Sequence, residues 1–490
     1  MLLVQLLSTN LIKVFFHNNP SPELVECYND IQIYEWKQCS TTIDGAESNV
    51  WFGYSTSLSA DGNKLAVGMP MSPNNPKVGA VQVYFHDNYS KQWRILGKTI
   101  FGKIQGDRFG WSVSLSPDGF WLGIGAKLRY DYQTGTPTVI DSGYVQIYNF
   151  DILIGRWIKK GLDINGDNKL DNSGYSISLS NFGTKIAIGA PGSDAGTRIG
   201  SVSIYEQEQA TIKNSKNDFQ NNADNALRWS QVGSNISGKI ESELLGKSIS
   251  ISSDGRRIAV GSIGLPDLYS SQFDAKNADT NVQIKGGVTI YEQTQTSNPK
   301  NPEKTISTWE QIGQTITGEE HNDLTGFSVS LSSNGNHVAI GSPKNDGDGI
   351  FPKSDIGFVR VYQFYEFDQH NNLRSNATWG IWSKLGQDIY GKGEGSHFGG
   401  SLQLSAGGER LAVGAALRGK GHASIFEFSK IEERWLQLGE DIEGLMNGDF
   451  AGYSVSLSAN GDRIVVGSPM NDDKGENSGN IQVFDLITKI

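Results

Sequence analysis

One block of 33 residues occurs seven times in this sequence without insertion or deletion. The copies open on Trp36, Trp93, Trp157, Trp229, Trp309, Trp382 and Trp435. An isoleucine follows each tryptophan after seven residues and a glycine after two more, and three further glycines come at intervals of eight, nine and six residues. In the first copy these four glycines are Gly45, Gly53, Gly62 and Gly68. A fixed period of this kind indicates a repeat protein in which each copy forms one supersecondary unit.

Each copy predicts four short strands. After the second glycine, apolar residues alternate with serine, as in residues 453–458, and this is the period of a strand. Asp-Gly or Asn-Gly follows in five copies, beginning with Asp61-Gly62, and indicates a tight hairpin. The continuous apolar run 65–67 predicts a second strand buried on both faces. A third apolar run, Val81-Gln-Val-Tyr84 in the first copy, and the tryptophan segment complete the unit.

Such units cannot bury both faces alone, but they can cover one another when they stack around an axis. The sequence therefore predicts an all-β fold, a seven-bladed β-propeller of four-stranded antiparallel blades. A linear solenoid would need polar capping units, and the first and last copies are as apolar as the others. We expect one propeller over residues 36–490 and an extension with extra strands over 1–35. Because residues 31–34 repeat the third-strand pattern, eight blades with a degenerate N-terminal one are the alternative.

A serine stands two residues after the second glycine in every copy. These residues are Ser55, Ser112, Ser176, Ser248, Ser328, Ser401 and Ser454. No histidine recurs with them, so a role in packing is favoured over that of a nucleophile. Small side chains allow neighbouring sheets to approach closely.

Several short motifs resemble the FG-GAP repeat. They are Phe109-Gly110 with Gly125-Ala126, Gly189-Ala-Pro191, and Gly467-Ser-Pro469. That repeat builds the seven-bladed ligand-binding head of integrin alpha subunits and many microbial surface proteins, and the resemblance covers about residues 36–490. It implies an innermost first strand and an outermost tryptophan strand, so that the strand from Trp36 to Ile43 pairs beside residues 481–484 of the last blade.

The resemblance also raises the question of calcium. Members of the family often carry an acidic calcium loop between the first and second strands, whereas this sequence has a tight hairpin there, at 59–62 in the first copy. Ca²⁺ requires six to eight oxygen ligands. We therefore expect no cofactor and no calcium site in these hairpins.

Composition limits the partners. Acidic residues number 53 against 42 basic ones, a net charge of −11, which argues against nucleic acid because that partner needs a basic surface. No apolar run is long enough to predict membrane insertion of the propeller. The two cysteines, Cys27 and Cys39, allow at most one disulfide. Asn88, Asn235 and Asn376 lie in glycosylation sequons.

An acidic residue stands three positions before the second glycine in five copies. The set is Asp107, Asp171, Glu243, Asp323 and Asp449, with Val50 and Ser396 in the remaining copies. One interpretation is a ligand-binding ring of carboxylates around the channel mouth. The other is that each acid accepts hydrogen bonds within its own turn, as Asp commonly does, and this second interpretation is favoured.

The variable loops also carry candidates. Asn345, Asp346 and Asp348 in one loop, and Asp472 and Asp473 in another, are cation candidates, although neither run completes a recognised metal loop and a solvated turn is favoured. The polar insertions 206–228, 292–308 and 363–381 are expected to be flexible outer loops.

These observations favour a non-catalytic ligand-binding or adhesion module that presents the loops of one face to a protein or glycan. It would be extracellular or at the cell surface, as a monomer or as one module of a larger surface protein. The alternative function is a glycan hydrolase or lyase whose acids, including Asp107, Asp323 and Asp449, would lie about 5–10 Å apart in a pocket.

Overall fold

The structure is a computed structural model. It describes residues 4–6, 12–14, 33–71, 78–103, 105–128, 130–131, 138–139, 142–192, 198–209, 227–239, 241–264, 285–298, 301–320, 322–347, 354–367 and 379–489.

Seven antiparallel sheets confirm the predicted seven-bladed β-propeller. The inner strands are Ser55–Leu58, Phe109–Leu115, Ser176–Leu179, Ser248–Ile251, Ser328–Leu331, Ser401–Leu404 and Ser454–Leu457. The second strands are Lys64–Met69, Trp121–Ala126, Lys185–Ala190, Arg257–Ser262, His337–Ser342, Arg410–Ala415 and Arg463–Ser468. The third strands are Ala80–Asp87, Tyr144–Asp151, Ser201–Gln209, Gly287–Asn298, Phe358–Phe367, His422–Ser429 and Asn480–Lys489.

The outer strands of blades 1 to 6 are Gln92–Ile95, Arg156–Lys159, Leu227–Gln231, Asn301–Gln311, Trp379–Lys384 and Arg434–Gln437. A two-residue strand then pairs with the third strand of the same blade. These short strands are Ile100–Phe101, Ile164–Asn165, Ile236–Ser237, Ile316–Thr317, Ile389–Tyr390 and Ile442–Glu443. Outside the blades, Val4–Leu6 pairs with Ile12–Val14, Tyr130–Asp131 pairs with Thr138–Val139, and Asn181–Gly183 forms a 3₁₀ turn.

The first described blade strand of the chain closes the ring. Ile33–Gln38 is the outer strand of blade 7 and runs antiparallel to Asn480–Lys489, and Ile43–Asp44 adds the short strand of that blade. The alternative with eight blades is wrong. Residues 33 and 34 begin this outer strand instead of forming another third strand, and Tyr34 packs against the blade 7 core. The sequence of residues 31–34 was misleading because third strands and outer strands both alternate apolar with polar residues.

The core lies between adjacent blades. In the second strand of blade 1, Leu65, Ala66 and Val67 are all fully buried, as the continuous apolar run predicts. Ala66 belongs to the same apolar cluster as Leu122 and Ile124 of blade 2. Each sheet therefore removes its neighbour's apolar surface from water, and this burial is the main force that holds the ring together.

The seven serines predicted to serve packing also make hydrogen bonds between blades. Each hydroxyl donates to the carbonyl of the second glycine in the next blade, at 2.6–2.9 Å. The donor–acceptor pairs are Ser55–Gly110, Ser112–Gly174, Ser176–Gly246, Ser248–Gly326, Ser328–Gly399, Ser401–Gly452 and Ser454–Gly53. The series is closed, so every blade is tied to both neighbours.

A second closed series lies two residues further along the inner strands. The backbone N–H of an apolar residue in each blade donates to a side-chain oxygen of the preceding blade. These pairs are Leu115–Ser57, Leu179–Ser114, Ile251–Ser178, Leu331–Ser250, Leu404–Ser330, Leu457–Gln403 and Leu58–Ser456. Gln403 replaces serine in blade 6, and its amide oxygen also accepts from the Ser456 hydroxyl at 2.9 Å.

The close approach of the blades explains the second and fourth glycines. Gly110 has φ +86°, a backbone conformation that favours glycine. A Cβ at Gly68 would lie 2.2 Å from the Gly110 carbonyl oxygen. A side chain at Gly68 would therefore push two blades apart.

The repeat tryptophans connect the outer strands. In six of the seven, the indole N–H donates to a backbone carbonyl of the preceding blade, for example from Trp157 to Leu96 at 3.0 Å. Trp93 meets blade 7 at the closing seam, where it packs with Cys39 in one apolar cluster. Among the described residues, its indole N–H has no backbone acceptor, and the side chain beside it is the Cys39 thiol. Cys27 lies outside the described residues.

One expected loop is a strand instead. Residues 292–298 and 301–308 continue the third and outer strands of blade 4, with Thr294 opposite Thr308 and Ser297 opposite Thr305. Alternating threonine, serine and glutamine suit an exposed ladder, and the polar composition had suggested a loop. Parts of the other two insertions, 210–226 and 368–378, lie outside the described residues.

Candidate functional site: the upper mouth of the central channel

We call upper the face that carries the loops between second and third strands and the loops that lead to the next inner strand. The predicted acids lie on this face but are built into their own loops. Asp171, Asp323 and Asp449 are each 3% exposed, and Asp107 is fully buried. Burial of this kind removes the carboxylates from a ligand at the surface.

Four of the five acids accept a hydrogen bond from a backbone N–H three or four residues earlier. The donors are Asn168 to Asp171, Lys239 to Glu243, Glu320 to Asp323 and Met446 to Asp449, at 2.6–3.2 Å. Asp107 instead accepts from the hydroxyl of Tyr144 at 2.8 Å. The contacts of these four acids lie within their own turns, whereas the contact of Asp107 joins its loop to the third strand of blade 2.

The cation candidate Asn345 and the residue Asn471, which precedes the candidates Asp472 and Asp473, extend this arrangement. The Asn471 amide donates to Asp449 at 3.0 Å, and Asn345 makes the equivalent hydrogen bond to Asp323. Burial raises the pKa of Asp323, against the hydrogen bonds from Glu320 and Asn345. Each Asp–Asn pair therefore joins two upper loops of one blade.

The remaining candidates also shape loops. Asp346 accepts from the Asp355 backbone at 2.9 Å, Asp472 accepts from the Asn477 backbone at 2.7 Å, and the Asp473 N–H donates to Asn471 at 3.1 Å. Asp348 lies outside the described residues. In the part of the chain that the structure describes, no three His, Cys, Asp or Glu side chains are grouped as metal ligands.

A ring of aromatic residues lies at the upper end of the channel. It is formed by the residue directly after the second glycine of each copy. The seven positions are Tyr54, Trp111, Tyr175, Lys247, Phe327, Gly400 and Tyr453, which we call the axial cluster. Tyr54 touches both neighbours, with ring centroids 4.6 Å from Trp111 and 4.9 Å from Tyr453.

The ring continues around the axis through Tyr175, whose centroid is 5.6 Å from Trp111. Trp51, from the preceding loop, stacks on Tyr54 at 5.8 Å and 20°. Burial raises the pKa of Tyr54, and the neighbouring Tyr453 raises it further. Tyr54 therefore stays neutral and presents an aromatic ring and a hydroxyl group.

Three cations accompany these rings. The Lys247 ammonium lies 4.3 Å from the Tyr175 centroid and 4.9 Å from that of Phe327, and it donates a hydrogen bond to the Tyr175 hydroxyl. Lys127 lies 3.8 Å from the Trp111 ring, and Arg108 lies 5.7 Å from it. Cation–π attraction holds these groups over the ring faces.

The sixth position of the ring is open. Gly400 contributes no side chain between Phe327 and Tyr453, and an added Cβ would meet only one atom within 4 Å, the His397 carbonyl oxygen at 3.2 Å. Its φ lies outside the positive region that disfavours other residues. The axial cluster therefore has one gap, at blade 6.

Below the cluster, the channel holds a cavity of about 180 Å³ lined mainly by inner-strand residues such as Ser57, Ser178 and Gln403. At its lower end, backbone hydrogen bonds run from blade to blade, for example from Ala459 to Ala60 at 2.9 Å. Pro117 has no N–H, so the link from Pro117 to Asn181 is missing.

Sequence reasoning missed the axial cluster, although a signal existed. Five of the seven residues directly after the second glycine are aromatic. The alternation in residues 453–458 assigned Tyr453 to the core side with Val455 and Leu457. The strand begins only at Ser454, so Tyr453 lies in a bend and the alternation does not extend to it.

Residues 445–484 match the protein-family model described as the FG-GAP repeat. This segment includes the inner and second strands of blade 7 and half of the third. The other six blades have the same glycine spacing. Blade 7 of this seven-bladed propeller is therefore similar to an FG-GAP repeat.

Two further comparisons concern the whole chain. No curated protein matches the sequence. Among solved structures, the chain is similar to the hydrazine synthase of Kuenenia stuttgartiensis, with 12% identity and a TM-score of 0.46 over 90% of this chain and 97% of that one.

The remaining observations concern the glycosylation sequons and membrane-spanning helices. Asn88 and Asn235 are exposed, whereas Asn376 lies outside the described residues. No helix in the described ranges is long and apolar enough to cross a membrane.

Proposed function

We propose that this propeller is a non-catalytic binding module that holds a glycan or protein partner at the upper mouth of its channel. The axial cluster carries this proposal. Five aromatic rings and three cations converge at one end of the symmetry axis, where tight packing of the fold does not require them. Aromatic side chains supply large contact areas, and the tyrosine hydroxyls and cations supply directed polar contacts.

The loops around the cluster support this function. The described upper loops are held by buried acids such as Asp449 and by amides such as Asn471, so they form a fixed rim. A rim that is already ordered loses little conformational entropy when a partner binds. The alternative hydrolase or lyase depends on Asp107, Asp323 and Asp449, and the contacts of these residues are with their own blades.

We further propose an extracellular or cell-surface location. FG-GAP repeats are typical of such proteins, and the exposed sequon residues Asn88 and Asn235 are accessible to modification. We expect the protein purified from its native source to lose mass on enzymatic removal of N-linked glycans. An unchanged mass for material recovered from the cytosol would contradict this location.

The binding proposal is tested by probing the full chain on a glycan array and on an array of purified secreted proteins. Trp111→Ala removes the ring that touches both Tyr54 and Tyr175. We expect it to weaken binding of the retained ligand at least about tenfold. Tyr89→Ala is the matched control, because Tyr89 is 98% exposed at a lower-face turn.

Thermal unfolding of both variants shows whether the propeller stays folded. Equal binding by Trp111→Ala and the native chain would contradict the proposal. Failure of the native chain to bind on either array would contradict it as well.

A further inference from the structure

We propose that the axial cluster recognises an anionic saccharide, a sugar that carries a carboxylate or sulfate group, and that this ligand enters at Gly400 and places its charge on Lys247. The inference rests on the proposed function, because it names the chemical class of that ligand. It depends on three further observations: the sign of the charge at the mouth, the tilt of the aromatic rings and the gap in blade 6.

The charged groups that lie over the rings of the axial cluster are positive, although the chain as a whole is acidic. The protein has a net charge of −11, yet Arg108, Lys127 and Lys247 all lie over rings of the axial cluster. Among the described residues, no carboxylate comes within 4.0 Å of Arg108 or Lys247. An anion that binds there gains a charge-assisted contact beside partly buried side chains.

The rings are arranged to accept a flat, partly apolar body. Tyr54 is tilted by 47° from Trp111 and by 42° from Tyr453. These three rings are therefore not stacked face to face on one another, and beside Tyr453 the Gly400 position carries no side chain. A pyranose ring has apolar C–H faces and polar edges, so it matches aromatic faces that are edged by tyrosine hydroxyls.

The gap at Gly400 gives such a ring a place to enter. It separates Phe327 from Tyr453, and Phe327 is also the ring against which the Lys247 ammonium lies. A saccharide above Gly400 would contact Phe327 or Tyr453 and bring its acid group toward Lys247. Nearby titratable groups are His397, whose Nε2 lies 3.7 Å from an Asp355 carboxylate oxygen, and Lys344.

Isothermal titration calorimetry of the full chain tests this inference with three probes. They are an oligogalacturonate, its fully methyl-esterified neutral form and a sulfated heparin-derived oligosaccharide. We expect at least one anionic probe to bind about tenfold or more tightly than the neutral one. That binding should weaken when NaCl is raised from about 50 to about 500 mM.

Two variants identify the residues. Lys247→Tyr puts at this position the residue that three other blades carry, so the propeller is expected to fold, and it should reduce binding of the anionic probe about tenfold or more while removing most of its salt dependence. Gly400→Tyr should fill the gap and reduce binding of all probes. The control is Lys98→Met, because Lys98 is an exposed lysine at the outer edge of blade 1.

The outcomes separate this inference from the function on which it rests. If neutral and anionic probes bind equally, and Lys247→Tyr changes neither, the anionic class is wrong while the binding function stands. If none of the three probes binds although an unrelated glycan or protein is retained on the arrays, the saccharide class is wrong. If nothing is retained on the arrays, the proposed function itself fails.

Discussion

The hydroxyl of Ser454 donates a hydrogen bond of 2.8 Å to the carbonyl of Gly53, across 401 residues of sequence. The same bond recurs between every pair of adjacent blades, so the joint between the last and first blades is built like the other six. The difference lies further out, at Trp93 and Cys39, where the indole hydrogen bond of the other joints is missing.

Ser454→Ala would leave the buried Gly53 carbonyl without its donor. We expect the free energy of unfolding to fall by about 1–2 kcal/mol, since an unsatisfied buried acceptor costs this much. Urea denaturation followed by tryptophan fluorescence measures the change. Ser90→Ala, which removes a local turn contact to Asp87, should cost less than about 0.5 kcal/mol, and equal losses would contradict this account.

Gly68→Ala tests the close approach between blades. Its Cβ would meet the Gly110 carbonyl oxygen at 2.2 Å, so the blades must separate, and we expect a loss of about 3 kcal/mol or more in unfolding free energy. Gly155→Ala is the control, because Gly155 has φ +64° but no atom within 4 Å of the added Cβ. That variant should lose only about 1 kcal/mol, from backbone strain alone.

The missing indole hydrogen bond at the seam predicts unequal effects of the same substitution. Trp157→Phe removes the hydrogen bond to the Leu96 carbonyl, whereas Trp93→Phe removes only the weaker contact with the Cys39 thiol. We expect Trp157→Phe to cost about 1 kcal/mol more than Trp93→Phe in unfolding free energy. Urea denaturation of the two variants measures this difference, and equal losses would show that Trp93 holds the seam in the same way.

The ion pair between Arg360 and Asp388 makes stability depend on pH. Both contacts of the guanidinium with the carboxylate measure 2.8 Å, and both side chains are largely buried. Burial alone would raise the pKa of Asp388, but Arg360 and Lys384 outweigh burial and lower it. The pair therefore stabilises the fold fully above the unfolded pKa of Asp388, and this contribution is lost as the pH falls through the folded value.

Asp388→Asn should accordingly remove about 2 kcal/mol at neutral pH. Thermal unfolding between pH 7 and about pH 3 should show a smaller decline in Tm for the variant than for the native chain. Parallel declines would show that Asp388 does not contribute to the acid sensitivity.

The fold could be predicted from the sequence because close contacts between blades fix the spacing of the glycines. Gly68 and Gly110 recur at fixed positions since any side chain at Gly68 would meet the neighbouring backbone. The repeated serines were located as well, but their hydrogen bonds were not, because a donor's partner in the next blade is visible only in three dimensions.

The axial cluster was less accessible to sequence reasoning. Tyr54, Trp111 and Tyr453 lie far apart in the chain and meet only because seven blades close around one axis. The acids were more conspicuous in the sequence, since Asp107 and Asp449 recur at a fixed position. Their fixed position reflects a local task, the ordering of each loop, and a local task needs the same residue in most copies.

The placement of Ile33–Gln38 in the same sheet as Ser454–Leu457 affects how the molecule is made. The segment Ile33–Gln38 is synthesised early, and its strand edge stays unpaired until the ribosome has added more than 400 further residues. At about 5–20 residues per second, that delay lasts roughly 20–80 s. During this interval the unfinished propeller exposes unpaired strand edges that can associate with other chains. A chaperone that shields these edges would raise the yield of the finished protein.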